Sequence, residues 1–138
     1  MKRYEIVPHT ADMRLRVEAD SLEGLFRASL EGISEILKKD SCKGMVGRPV
    51  NCPVEVSSVD TTALLIDFLS EVLALSYINK AIFCRVEFAK LGSDSLSATL
   101  TGVAAERFDR DIKAVTYHKA EIRRNEQGNY QTDIVMDI

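Results

Sequence analysis

The segment that decides the fold runs from Asp60 to Phe88 and reads DTTALLIDFLSEVLALSYINKAIFCRVEF. Its first part begins with an aspartate suited to cap a helix and then carries apolar side chains at helical spacing over a wide arc. In its last part the apolar residues alternate from Ile82 to Phe88, as they do in a half-buried strand. The sequence therefore predicts a helix, the more buried of the two in the chain, followed directly by a strand.

The rest of the chain shows the same two periodicities on either side of this segment. In chain order we predict strands at 2–7 and 13–17, a helix from a cap at Asp20 to about Lys39, a strand around 54–56, the helix and strand described above, and strands at 96–100, 114–122 and 130–138. Asp67 and Glu71 lie opposite the apolar arc of the second helix and are expected to face solvent. This order predicts an α+β two-layer sandwich over a single domain, 1–138, with two helices packed on one face of a mixed, mostly antiparallel sheet.

Composition argues against several classes of protein. With 138 residues, 46% hydrophobic and 28% charged residues and a net charge of -3, the chain has the make-up of an ordinary globular domain. The longest apolar stretch is interrupted by Asp67 and Glu71, and the first residues lack the apolar core of a signal peptide. We therefore expect no membrane span and a cytoplasmic location. The acidic balance argues against tight RNA binding, and the lack of a Gly-x-Gly or Gly-Lys-Ser/Thr motif argues against a nucleotide-binding fold.

The cysteines give no sign of a shared role. Cys42, Cys52 and Cys84 are odd in number and include no Cys-x-x-Cys pair. We therefore expect core or surface thiols rather than a disulfide framework or a cysteine zinc site. The segment 40–51, which contains Cys42, matches no motif, and we assign it no role.

Three short segments concentrate polar groups that could perform chemistry. They are His9-Thr10-Ala11-Asp12, the string KAVTYH from Lys113 to His118, and the final pair Asp137-Ile138. Asp12 begins a strand, and in the alternating pattern Asp137 lies on the face opposite its apolar neighbours. We therefore expect both carboxylates to be exposed to solvent. Together with the terminal carboxylate of Ile138 they would form an oxygen-only cluster suited to calcium, magnesium or manganese. Periodicity does not show that the two ends meet, and a turn residue at Asp12 with a solvated Asp137 is the alternative.

The histidines and the lysine in these segments could each have one of several roles. His9 and His118 could each serve as a general base, a ligand or a structural hydrogen-bonding group. Lys113 could bind a phosphate group or could simply be exposed to solvent. No serine or cysteine lies in a recognisable nucleophile motif with these histidines, so the sequence does not support a catalytic triad.

In this order, at these positions of a chain of this length, the three segments resemble the archease family. The resemblance covers nearly all 138 residues, since the two-helix pattern between the segments also agrees. It implies a compact α+β protein that binds a divalent cation, most often calcium, with magnesium or manganese as alternatives. The implied ligands are Asp12, Asp137 and Ile138. The residues implied to face a partner or to support the site are His9, Lys113 and His118.

The same resemblance implies a function as a helper rather than as an enzyme. Archeases are implied to activate the GTP-dependent RNA ligase of tRNA splicing and RNA repair, promoting guanylylation and repeated turnover, while the ligase holds the nucleotide and the catalytic manganese. A chaperone or modulator of a tRNA methyltransferase is the alternative that the family also suggests. From the residues alone, a metal-dependent hydrolase using His9, His118, Asp12 and Asp137 is a further alternative.

Overall fold

The computed structural model describes residues 1–8 and 12–138. In chain order its elements are β1 (Lys2–Pro8), β2 (Asp12–Ala19), α1 (Leu22–Leu37), β3 (Pro49–Ser57), α2 (Thr61–Asn79), β4 (Ala81–Leu91), β5 (Ser95–Ala104), β6 (Ala114–Thr116), β7 (Arg123–Arg124) and β8 (Tyr130–Asp137). All strand pairings in this part of the chain are antiparallel. The predicted α+β class with mostly antiparallel strands is confirmed.

The strands divide into two sheets. One has the order β1-β2-β8-β6 with β7 also paired to β8, and the other has the order β3-β5-β4. Helix α1 contacts β1, β2 and β8 of the first sheet and β4 of the second, and α2 contacts β3, β4 and β6. Both helices therefore bury their apolar residues against both sheets. Periodicity did not reveal this division, because it identifies strands without giving their partners.

The two helices begin at residues that cap their first turns. Asp60 caps α2 as predicted, since its side chain accepts a hydrogen bond of 2.8 Å from the amide of Ala63. The predicted cap of α1 is wrong by one residue, because Ser21 accepts the amide of Gly24 at 3.0 Å. Asp20 instead forms an ion pair of 2.7 Å with the amino group of Met1.

Helix α2 is a core helix, although α1 is the more deeply buried. By length and by a mean hydropathy of 1.5, α2 could cross a membrane, but Phe68 packs against Phe26 of α1 and Phe88 of β4, with ring centroids 5.7 and 6.0 Å apart. Ten of sixteen α1 residues are buried, against eight of nineteen in α2. The prediction of relative burial is wrong because the apolar residues of α2 extend to its exposed end, where Ile78 is 76% exposed.

The strand predicted over 114–122 is much shorter than expected. Strand β6 ends at Thr116, and the chain turns at Lys119, whose φ of 59° is left-handed. Beyond the turn, the amide of Ile122 donates a hydrogen bond of 3.1 Å to the hydroxyl of Thr62 in α2. The alternating sequence continues through this turn, but the backbone is held by contacts other than a strand ladder.

The cysteine prediction is wrong for two of the three residues. Cys42 and Cys84 form a disulfide, with their Cα atoms 5.5 Å apart, whereas Cys52 is a free, buried thiol. The bonded cysteines are 42 residues apart in the chain. They meet because the connection from α1 to β3 folds back onto β4, a tertiary contact that cysteine spacing does not encode.

Candidate metal centre

Two of the predicted ligands meet at one end of the first sheet. Strands β2 and β8 pair in a register that places Asp12 directly opposite Asp137. Side chains opposite each other on antiparallel strands leave the same face of the sheet, with Cβ atoms roughly 4.5–5.5 Å apart. Two carboxylates at that separation repel each other unless a cation or a proton lies between them. The fold thus creates the acidic pair that the sequence could only suggest.

A third strand holds Asp137 from its other side. Ala114 of β6 lies opposite Asp137, and the amide of Lys113 donates a hydrogen bond of 2.7 Å to the Asp137 carbonyl. Asp137 is therefore fixed between two strands while its side chain is exposed, and Asp12 is half-buried. The side chain of Lys113 is exposed at the same end of the sheet.

The residue after β8 is anchored by apolar packing. Ile138 is half-buried against the core, and Met136 and Ile134, at alternate positions before it, are fully buried. This is the inward orientation expected from the alternation. Ile138 directly follows Asp137 in the chain. Its backbone oxygens therefore lie next to one member of the acidic pair.

The two histidines are not both brought to this pair. His9 lies outside the described residues, as do Thr10 and Ala11 of its motif. His118 is exposed in the turn that follows β6. Since Ala114 lies opposite Asp137 and Thr116 lies opposite Val135, β6 runs away from the acidic pair as it approaches His118. The register therefore separates His118 from the proposed ligands along the sheet.

The donors at this site suit a hard cation. Carboxylate and carbonyl oxygens are the ligands that calcium and magnesium prefer, and calcium takes about six to eight of them, often including water. Asp12 and Asp137 supply two carboxylates, and Ile138 can supply a further oxygen. Within residues 1–8 and 12–138, no three His, Cys, Asp or Glu side chains form a metal-binding group. Among the described residues, a cation here would therefore need backbone or terminal oxygens, or water, in addition to the two carboxylates.

Cationic side chains lie next to the acidic pair on the same face. Arg14 is two positions after Asp12, about 6.6 Å along the strand at 3.3 Å per residue, and one Arg14 nitrogen lies 3.9 Å from Asp133. Arg16 pairs with the same carboxylate at 3.0 Å, and this hydrogen bond raises the pKa of Arg16. The Nε of Arg14 is buried and makes no hydrogen bond within the described part of the chain. The face thus changes from acidic to basic along β2.

A polar cluster at the far end of β2 is structural. Glu18 accepts hydrogen bonds from the side chains of Asn129, Asn125 and Arg3, at 2.9, 2.7 and 2.6 Å. In that order of importance, these bonds lower the pKa of Glu18 to about 2. The cluster ties β1 and β2 to the 125–129 turn and gave no recognisable signal in the sequence.

The predicted solvent stripe of α2 contains a residue that joins this helix to two other segments of the chain. Glu71 is exposed as predicted, but Asp67 is half-buried. The Asp67 carboxylate accepts a hydrogen bond of 2.7 Å from the hydroxyl of Ser58 and another from the hydroxyl of Tyr117, and the latter bond raises the pKa of Tyr117. Asp67 therefore anchors the chain after β6 to α2. The KAVTYH string was the available signal, since it contains Tyr117.

Known proteins share both the sequence and the fold of this chain. The family model described as Archease protein family (MTH1598/TM1083) matches residues 4–138. The archease of Methanosarcina mazei is 29% identical over 146 residues, covering 99% of this chain and 97% of its own. The archease of Pyrococcus furiosus is 30% identical over 146 residues, covering 100% of both chains.

Two solved structures have the same fold. The solution structure of Methanobacterium thermoautotrophicum protein 1598 gives a TM-score of 0.72 at 25% identity, covering 98% of each chain. The crystal structure of an archease from Thermotoga maritima, described as a possible chaperone, gives a TM-score of 0.65 at 20% identity, covering 96% of this chain and 94% of that one. The second likeness concerns the fold alone.

Proposed function

Because the chain belongs to the archease family, we propose that it is a divalent-metal-binding protein cofactor of the GTP-dependent RNA ligase of tRNA splicing and RNA repair. In this role it promotes guanylylation of the ligase and allows multiple turnover, and it is an activator rather than an enzyme. The observation that carries the proposal is the direct opposition of Asp12 and Asp137 across two paired strands. Such a pair favours an ion that offsets its charge.

The metal is proposed to be calcium, with magnesium or manganese as alternatives, held by Asp12, Asp137 and an oxygen of Ile138. When bound, it would supply positive charge that polarises or orients phosphate oxygens. The ladder between β2 and β8 holds the backbones of Asp12 and Asp137 at a fixed separation, and the Lys113 amide adds a hydrogen bond to the backbone of Asp137. Positions that are fixed before binding reduce the entropy lost when reacting groups are oriented.

The supporting residues are proposed to contact the partner rather than the metal. Lys113 is exposed beside the acidic pair, and His118 is exposed in the turn after β6. His9 belongs to the same proposal on the strength of its motif. With a net charge of -3 the chain would neutralise few phosphates by itself, so RNA contact is proposed to be weak or indirect, in the cytoplasm.

A ligation assay tests this function. The cognate ligase with GTP and manganese is given RNA ends carrying a 3′-phosphate or a cyclic phosphate, with and without catalytic amounts of this protein. We expect joined RNA to exceed the amount of ligase only when the protein is present. Equal turnover in both reactions would contradict the proposed function. GTP-dependent labelling of the protein alone would contradict its role as a non-catalytic activator.

The second candidate is a chaperone or modulator of a tRNA methyltransferase. The description of the Thermotoga maritima protein as a possible chaperone favours it. A chaperone would need a contiguous exposed apolar patch. The assay is suppression of thermal aggregation of a tRNA methyltransferase, and suppression by both the wild-type protein and Asp12→Ala would separate this role from one that needs the metal.

A further inference from the structure

The connection between α1 and β3 is attached to the rest of the fold mainly at its two ends. At one end the amide of Lys39 donates a hydrogen bond of 2.9 Å to Asp109, and at the other the carbonyl of Arg48 accepts one of 2.8 Å from Ala104. We call residues 40–47, which lie between these attachments, the 40–47 loop. Asp40 and Met45 in this loop have left-handed φ angles of 62° and 45°, which cost energy for residues other than glycine.

Among residues 1–8 and 12–138, no hydrogen bond ties the 40–47 loop to either sheet. In the described part of the chain, its hydrogen bonds run from the Ser41 amide and hydroxyl to the Lys38 carbonyl, from the Lys43 amide to the Asp40 carbonyl, and from the Asp40 amide to the carboxylate of Glu35 in α1. The Ser41 hydroxyl also lies 4.0 Å from the Sγ of Cys42. These contacts are all local in sequence. The loop is attached to the second sheet by the Cys42–Cys84 disulfide, and Met45 adds apolar contact with the core.

The disulfide is accessible to a small molecule. Cys42 is half-buried and Cys84 is 8% exposed, and both line an open cavity of about 360 Å³. Arg85 and Lys43 line the same cavity, together with the carboxylates of Glu31 and Glu35. Lys43 pairs with Asp40 at 3.1 Å, whereas Arg85 makes no ion pair among the described residues. A neighbouring guanidinium stabilises a departing thiolate.

We propose that Cys42–Cys84 is an exchangeable bond, reduced by small or protein dithiols, and that its reduction frees the 40–47 loop while the rest of the fold persists. Strand β4 does not depend on the bond, because it packs against both helices and pairs with β5 on either side of Cys84, from Ala81 to Phe83 and from Arg85 to Leu91 with a further register shift after Phe88. In a reducing compartment, which is where the proposed function would operate, disulfides are most often transient or redox-sensing.

The thiol–disulfide exchange needs no reactant other than the dithiol. A thiolate of the dithiol attacks Sγ of Cys42, the more exposed cysteine, and the bond to Cys84 breaks with its electron pair leaving on Sγ of Cys84, which takes a proton. The second thiol of the reductant then displaces Cys42 from the mixed disulfide. Two electrons and two protons pass to the protein, which gains two thiols, and the dithiol becomes a disulfide.

Hydrogen exchange of the whole protein tests the proposal. The oxidised chain is treated with dithiothreitol without denaturant, alkylated and analysed by mass spectrometry, with buried Cys52 as an internal control. We expect the half-buried Cys42 to be alkylated only after dithiothreitol treatment, whereas alkylation of Cys52 should be the same with and without dithiothreitol, because Cys52 is not part of the bond. The amides of the 40–47 loop should exchange about tenfold faster or more, while those of β4 and β5 and the far-ultraviolet circular dichroism stay unchanged. Oxidised glutathione should reverse the change.

Matched variants distinguish an exchangeable bond from a structural one. Cys42→Ser should reproduce the fast exchange of the loop, and Cys52→Ala should leave the loop sensitive to dithiothreitol. A bond that resists dithiothreitol until the protein is denatured would overturn the proposal. So would unchanged loop exchange after reduction, or the unfolding of both the reduced protein and Cys42→Ser, which would identify the bond as a structural staple. These readouts do not involve the metal or the ligase.

Discussion

Replacing Asp137 by asparagine should stabilise the metal-free protein and remove most of its response to calcium. Asp137 lies directly opposite Asp12, and like charges in that position destabilise a sheet; we take the size of this effect to equal the roughly 0.2–1 kcal/mol that an opposite-charge pair contributes. Unfolding entropy of about 2.1 cal/mol/K per residue, over 138 residues, gives about 0.29 kcal/mol per degree. In chelator, Asp137→Asn should therefore melt about 1–3 °C above the wild-type protein.

Calcium should reverse that order. An ion that binds only the folded state stabilises it by about 2.7 kcal/mol at a hundred times its Kd. With the same unfolding entropy, the wild-type protein should then melt about 9 °C higher than in chelator. Asp137→Asn should gain little, because asparagine offers calcium a neutral oxygen in place of a charged one.

A nearby aspartate provides the control for this experiment. Asp133 lies on the same strand and the same face, but it pairs with Arg16 and Arg14 rather than with another carboxylate. Asp133→Asn should melt slightly below the wild-type protein in chelator and should keep the calcium response. The assay is thermal denaturation followed by circular dichroism, with and without calcium. A lower melting temperature for Asp137→Asn in chelator, or equal calcium responses in all three proteins, would refute the reasoning.

Three further predictions concern the stability of the fold and the chain end. Since hydrogen bonds lower the pKa of Glu18 from 4.5 to about 2, they stabilise the fold fully above about pH 4.5 and are lost as pH falls toward 2. The melting temperature of Glu18→Gln should therefore change less with pH in that window than the melting temperature of the wild-type protein. An equal pH dependence of the two melting temperatures would contradict this. Gly102→Ala should prevent folding or destabilise the fold by more than ~3 kcal/mol, because the added Cβ would lie 1.9 Å from the backbone oxygen of Ile82. Urea denaturation measures the free energy of unfolding, and a loss of less than ~1 kcal/mol would contradict this prediction. Residues added after Ile138 should weaken calcium binding by about tenfold or more, or ~1.4 kcal/mol, whereas an equally long addition before Met1 should not. Calorimetric titration of calcium compares the two extended proteins, and equal affinities would exclude the terminal carboxylate as a ligand.

Features that depend on neighbouring residues in the chain were predicted well. The spacing of apolar residues located both helices and most of the strands, and Asp60 was found as a cap because its acceptor and donor lie within one turn. The errors arose where neighbours in sequence did not decide the backbone. The segment after Thr116 alternates in polarity, yet it turns at Lys119 because its polar backbone groups find partners on α2 and β8.

Features that depend on pairing between distant segments were beyond periodicity. The Cys42–Cys84 bond and the Asp67–Tyr117 contact both join segments far apart in the chain. The opposition of Asp12 and Asp137 also requires the register of the first sheet, which the alternating pattern does not give. Motif resemblance singled out these two residues because a family motif can mark residues that lie close together in the fold without specifying the contacts between them.

The measurement that tests the account most directly is multiple-turnover RNA ligation with a variant of the acidic pair. Cognate ligase, GTP and manganese are mixed with catalytic amounts of wild-type protein, Asp12→Ala or Asp133→Ala, and circular dichroism verifies that each variant is folded. We expect the wild-type protein and Asp133→Ala to support many turnovers, and Asp12→Ala to leave the ligase near a single turnover. Full stimulation by folded Asp12→Ala would contradict the claim that the pair of Asp12 and Asp137 holds the ion through which this protein acts.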